Sequence, residues 1–103
     1  MTDPLLDGLD PSVHVVRLFV AGATEASQRA IETITSICND AAPGMHRLEV
    51  VDVSQQPEIA AREDVLVTPT LIRYRPEPVL RLVGELSDRA SVWSRLGLDA
   101  ADG

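Results

Sequence analysis

Few residues in this chain can do chemistry, and their spacing suits none of the common reactions. Cys38 is the single thiol, so it can close no internal disulfide and lacks the second sulfur that disulfide exchange requires. It falls on the apolar side of a helical pattern, where a buried small hydrophobe is the plain reading. Asp40 nearby disfavours the electropositive setting that a redox sensor needs. His14 and His46 lie in strand-like runs with no Cys, His or Asp at ligand spacing, which argues against a metal site. Asp52 closes an apolar segment and reads as a cap or edge carboxylate. A perturbed catalytic acid is the alternative, but no paired acid or nucleophile is in view. Gly22 and Gly44 lack the spacing and the Lys-Ser/Thr ending of a phosphate loop. No catalytic residue, metal or cofactor is expected, which leaves binding.

The elements that position these residues follow from apolar spacing and punctuation. Residues 1–11 carry Asp3, Pro4, Asp7, Gly8, Asp10 and Pro11 and read as a flexible leader. Residues 13–20 are a nearly continuous apolar run, broken only by His14 and Arg17, as expected of a central strand covered on both faces. Thr24 is placed to cap a helix running to about 39, with Ala30, Ile31, Ile34, Ile37 and Cys38 on one face. Pro43-Gly44 forces a turn, and Leu48, Val50, Val51 and Val53 mark a second strand. Pro57 opens a short helix, reaching about 64, at the position where its missing N–H costs nothing.

Thr68-Pro69-Thr70 starts a third strand, Pro76-Glu77-Pro78 is a hairpin connection, and residues 79–83 form a fourth strand. Ser87 is expected to cap a last helix carrying Val92, Trp93 and Leu96, with Gly97 at its left-handed stop. Trp93 reads as the anchor of that helix, with a binding hot spot as the alternative. Residues 99–103 are an acidic tail, and residues 12–98 are one domain.

Composition narrows the function classes. The chain has 103 residues, a net charge of −7, nine arginines and no lysine. That charge argues against nonspecific nucleic-acid binding, which needs a basic footprint. Arg73, Arg75, Arg81, Arg89 and Arg95 recur in the second half. They could form a local basic face, although solvated strand and helix faces explain them equally. No apolar run approaches the roughly 18–20 residues that span a bilayer, and no basic-then-apolar secretory pattern opens the chain. A cytoplasmic protein is expected.

The order strand, helix, strand, helix, strand, strand, helix makes the first two strands parallel by the crossover rule and the last two an antiparallel hairpin. This α/β arrangement, βαβαββα around a central mixed sheet, resembles the thioredoxin layout. In thioredoxins the working cysteines sit where the first strand meets the first long helix. Here that place is held by Ala21-Gly22-Ala23-Thr24-Glu25, without a thiol. The proline at the Thr68-Pro69 position can be cis in that layout, packed opposite the first helix; an ordinary strand-initiating proline is the other reading.

Five stretches carry a narrower resemblance: Leu18-Phe19-Val20-Ala21-Gly22 with Thr24 and Ser27, Val51-Asp52-Val53, Pro57, Thr68-Pro69-Thr70-Leu71 and Gly84-Glu85-Leu86-Ser87. Together they resemble the circadian clock protein KaiB family over about residues 13–98. Phe19 stands for a tyrosine, Gln56 for an asparagine and Glu85 for an aspartate.

The resemblance implies a non-enzymatic protein that binds a KaiC-type ATPase and modulates its phosphorylation, with KaiA-like proteins or a histidine kinase as further partners. It implies partner-binding positions at Arg29, Glu49, Asp64 and Arg81. It also implies two folds, a tetrameric KaiB form and a monomeric thioredoxin-like form, with Pro69, Arg95 and Gly97 among the residues that set the balance. Monomer, dimer and tetramer are all open.

Three departures stand out. Arg95-Leu96-Gly97 replaces the family's Gly-Leu-Asp, Asp64 replaces a docking lysine, and Leu80-Arg81 replaces a tandem basic pair. Arg is a better helix former than Gly by roughly 0.8 kcal/mol, so the thioredoxin-like form is expected to dominate. A sensory or interaction module with a partner outside any clock is the alternative function.

Overall fold

The computed structural model describes residues 3–98. Four strands form one mixed sheet in the order β2-β1-β3-β4: β1 His14–Val20, β2 His46–Asp52, β3 Thr70–Arg75 and β4 Leu80–Val83. The first crossover makes β1 and β2 parallel, while β3 runs antiparallel to both β1 and β4. The expected βαβαββα order is therefore the observed one. The apolar run of β1 is central, and its residues from Val15 to Val20 are all buried.

Alternation along the strands divides the core in two. On one face α1 (Glu25–Ala41) and α3 (Arg89–Arg95) cover Val16, Leu18, Val20, Leu71 and Leu82. On the other, α2 (Pro57–Arg62) covers Phe19, Val51 and Ile72 with Ala60. Trp93 is half-buried against the larger cluster, with the Arg89 guanidinium 5.1 Å from its ring centre. That places it as the anchor of α3.

Local signals set the helix ends. Thr24 Oγ1 accepts the Ser27 N–H at 3.1 Å and starts α1. Pro57 occupies the first turn of α2. Gly97 adopts φ 76° after α3, where only glycine sits without strain. The cap of α3 differs from expectation. Ser87 donates its hydroxyl to Glu85, and Asp88 accepts the Ser91 N–H instead. With its hydroxyl committed to the preceding turn, Ser87 leaves the cap to the next short polar residue.

Residues 3–11 are the described part of the segment expected as a flexible leader. Pro4–Leu6 forms a 3-10 turn capped by Asp3, and Leu5 is buried. The acidic tail lies outside the described residues. Tyr74 sits at a bulge, because Val15 pairs with Arg75 and Val16 with Arg73. This leaves Tyr74 without a partner on β1 and aims it at the α2 face.

Candidate partner-docking surface

No cysteine lies where β1 meets α1. Gly22, at φ 71°, turns the chain there, and its N–H donates to Asp52 Oδ1 at 3.1 Å. Asp52 also accepts from the Ser54 N–H and hydroxyl. These donors hold its carboxyl below the ordinary range, so it is an ionised loop staple and not a poised acid. Cys38 is buried, and desolvation pushes its thiol up to about 11. Thr68-Pro69 is cis, as the layout allows, and so are Arg75-Pro76 and Glu77-Pro78.

The α2 face carries the charged chemistry. Arg17, on the central strand and 3% exposed, would be a costly buried cation without partners. Its Nη1 and Nη2 donate to the two oxygens of Asp3 at 2.8 and 3.0 Å, its Nε to Glu49, and its Nη1 also to the Tyr74 hydroxyl at 3.2 Å. Asp3 holds the Arg17 pKa above its ordinary value despite burial. Tyr74 in turn donates to Glu63, at the end of α2. Arg62 lies 4.0 Å from Asp3 and 3.9 Å from Glu63. One connected network thus ties the N-terminal turn, three strands and α2.

The expected partner-binding residues fall into two groups. Asp64, in the left-handed region at φ 56°, ends the α2 turn. Arg81 reaches from β4 to the carbonyls of Glu63 and Asp64, so Asp64 and Arg81 are neighbours. Glu49 lies on the same face, opposite Arg17 in the sheet register. Arg29 is in the other layer, on the exposed side of α1, where it pairs with Glu25 at 2.5 Å. The surface that unites Glu49, Asp64 and Arg81 is therefore the α2 face, bordered by the edge strand β2. Leu66 and Val67, in the loop after α2, are exposed large apolar residues.

The residues named as fold-state determinants all lie beside α3 or the β3 entry. Pro69 accepts the Gly84 N–H through its carbonyl at 3.3 Å, joining the entry of β3 to the exit of β4. Arg95 is exposed and reaches the Val83 carbonyl at 3.4 Å.

The second-half arginines do not form one basic face. Arg73 is buried, Arg89 pairs with Asp40, and Arg81 and Arg95 are engaged by backbone carbonyls. Sequence reasoning missed the Arg17 network and the buried Arg73. The available signal was a lone arginine inside an apolar strand covered on both faces, where a charge must find partners.

Comparisons with known proteins bear on the family and the fold. A family model described as the KaiB domain matches residues 17–98. The circadian clock oscillator protein KaiB of Prochlorococcus marinus (strain MIT 9312) is 42% identical over 86 residues, covering 84% of this chain and 80% of that protein. Its counterpart from Rippkaea orientalis is also 42% identical, covering 84% and 81%. Among solved structures, the N-terminal domain of Synechococcus elongatus SasA superposes with a TM-score of 0.70 at 20% identity, covering 99% of this chain and 96% of that one. Chloroplastic thioredoxin z gives 0.68 at 17%, covering 87% and 80%. These two likenesses establish the thioredoxin-like fold.

Proposed function

The chain belongs to the KaiB family, and from that premise we propose that it is a non-enzymatic, cytoplasmic adaptor that binds a KaiC-type ATPase. Binding modulates the phosphorylation and ATPase cycle of that partner in a circadian clock, a simpler timer or a stress response. The observation that carries the reading is the 42% identity to clock oscillator proteins across 84% of the chain. The absence of a thiol where thioredoxins carry theirs supports binding over redox catalysis.

In this reading the docking surface is the α2 face with Glu49, Asp64 and Arg81, and Arg29 makes a separate contact from the α1 layer. KaiA-like proteins and histidine kinases are further partners of the same kind. Arg95 and Gly97 favour α3 and with it the thioredoxin-like form, so the balance between folds lies toward the monomer. Spectra of the free protein showing the tetrameric KaiB arrangement would overturn that part.

The test mixes the purified chain with the KaiC-type ATPase of the same source, with ATP or ADP, and follows complex formation by size-exclusion chromatography with light scattering. A complex weakened by Arg29→Ala and Arg81→Ala is expected. Arg29→Ala is the cleaner variant, because Arg81 also holds the end of α2. A folded chain that forms no complex at about 50 µM would sink the adaptor reading.

A second reading rests on Asp64, which stands where the clock proteins carry a docking lysine. Reversing a charge at an interface costs several kcal/mol, and a partner outside any clock would account for it. Pull-down with Asp64→Lys separates the two, because only the adaptor reading expects that change to strengthen the ATPase complex.

A further inference from the structure

Asp3 sits in a socket built for a carboxylate. Three arginines converge on the turn that carries it, each from a different element. Arg17 of β1 grips both carboxylate oxygens, Arg62 of α2 lies 4.0 Å away, and Arg47 of β2 donates to the Leu5 carbonyl at 3.3 Å. In a chain of net charge −7 with only nine basic residues, this is a marked concentration of positive charge. Leu5, two residues on, is buried, so the turn brings an apolar side chain under cover together with the charged one.

Arg17 has partners besides Asp3. Arg17 keeps Glu49 and Tyr74 as partners when Asp3 is taken away, and Tyr74 keeps Glu63. The arginine would therefore stay oriented and would not be left as an unpaired buried charge. Two guanidinium groups, Arg17 and Arg62, lie within 4.0 Å of the Asp3 carboxylate and lose that partner when it leaves. Arg17 donates from two nitrogens to the two oxygens, a geometry that suits a single carboxylate in bidentate contact.

We propose that this socket is a binding site for an acidic segment of a protein partner, one presenting an Asp or Glu side chain followed closely by a leucine. Residues 3–5 fill the site from within as a displaceable plug. A segment on the same chain acts at an effective concentration on the order of millimolar. A modest intrinsic affinity then keeps the site closed, and a tighter external segment can take it. Glu49 belongs both to the socket and to the α2 face, so lifting the plug also frees the edge of that face. The socket stands on its own residues, and its test needs no ATPase.

The test uses the full chain with Asp3→Asn and Leu5→Asn, which weakens the plug, against an eight-residue acidic peptide carrying Asp-Pro-Leu between serine and glutamate flanks. Binding is followed by calorimetry and by the Nε–H resonance of Arg17. Saturable binding is expected, about tenfold or more tighter than to the unaltered chain, whose own plug competes. A peptide with Asn in place of Asp should bind about tenfold more weakly, and Arg62→Gln, at an exposed position, should weaken binding several-fold.

No binding to the plug variant up to about 1 mM would overturn the proposal, as would equal binding of the Asn peptide. Asp3→Asn alone gives a second variant with Leu5 kept in place, should the double change disturb folding. A dimer of the unaltered chain that dissolves on Asp3→Asn would assign the socket to a second copy and overturn the partner.

Discussion

Arg73 reaches from β3 to the end of α3 and donates from Nη1 to the Leu96 carbonyl at 2.9 Å. Its Nη2 donates to the Pro78 carbonyl at 3.2 Å, and its Nε meets no acceptor among the described residues. A helix C-terminus carries partial negative charge and unpaired carbonyls, so a buried guanidinium there satisfies both. The sheet thereby clasps α3 at its last turn, and burial lowers the Arg73 pKa from its ordinary value.

Arg73→Ala removes that clasp and leaves the Leu96 carbonyl buried without a donor. Hydrogen bonds to a charged group contribute roughly 1.5–3 kcal/mol, and a loss of about 2–3 kcal/mol in urea unfolding is expected. Amide exchange should rise first in α3, before β1 or β3. Uniform acceleration across all elements would contradict the clasp.

Asp3 gives the chain an acid-sensitive latch. Hydrogen bonds from Arg17 outweigh burial and hold its carboxyl down at about 2, from an ordinary 3.8. A carboxyl depressed by folding stabilises the native state fully above its unfolded pKa, and the contribution fades as pH falls through the folded value. The stability that Asp3→Asn removes should therefore be constant above about pH 5 and shrink between about pH 4 and 2. Identical acid limbs for the two proteins in urea titrations would count against the latch.

Tyr74 is the chain's only tyrosine, so its ionisation can be followed directly by ultraviolet absorbance. Burial, and then the hydrogen bond it gives Glu63, raise its pKa to about 12, with Arg17 opposing. Because folding favours the neutral phenol, this contribution is complete below about pH 10 and disappears as pH climbs toward 12. Glu63→Gln should bring the midpoint down toward the ordinary value. A midpoint near 10 in the unaltered protein would show that the Tyr74 hydroxyl is solvated.

The stop of α3 can be tested at two positions. Gly97 is left-handed, and a Cβ there would meet nothing within 4 Å, so the cost of substitution is backbone strain alone. Gly97→Asp should lose about 1 kcal/mol, and Arg95→Gly about 0.8 kcal/mol. Together they give the Gly-Leu-Asp that the resemblance implies and should weaken α3 by about 2 kcal/mol. Circular dichroism and light scattering would show whether a second fold or oligomer becomes populated. An unchanged spectrum, mass and stability would remove these residues from the fold balance.

Much of the architecture was legible from short-range pattern. The apolar run of β1, Thr24 before an apolar-periodic stretch, Pro57 at a helix start and Gly97 at a helix end are each encoded within a few neighbouring residues. Periods of 2 and 3.6 identify buried faces, and single glycines and prolines mark the turns. The absence of a thiol pair, and the stretches shared with KaiB proteins, were equally plain in the sequence.

Partner choice among the charged residues was not legible, and the reason is distance along the chain. Arg17 meets Asp3 across 14 residues and Tyr74 across 57, while Arg73 meets Leu96 across 23. Periodicity predicts that Arg17 points into a covered face, but it holds no information on which acid arrives there. That choice is made when α2 and the N-terminal turn pack beside the sheet, because a buried guanidinium must recover in hydrogen bonds what it loses in hydration. The sequence alone determined the elements, their order and the lack of a second thiol. Only the tertiary structure joined Asp3, Arg17, Glu49 and Tyr74 into one hydrogen-bonded network and placed Asp64 and Arg81 side by side.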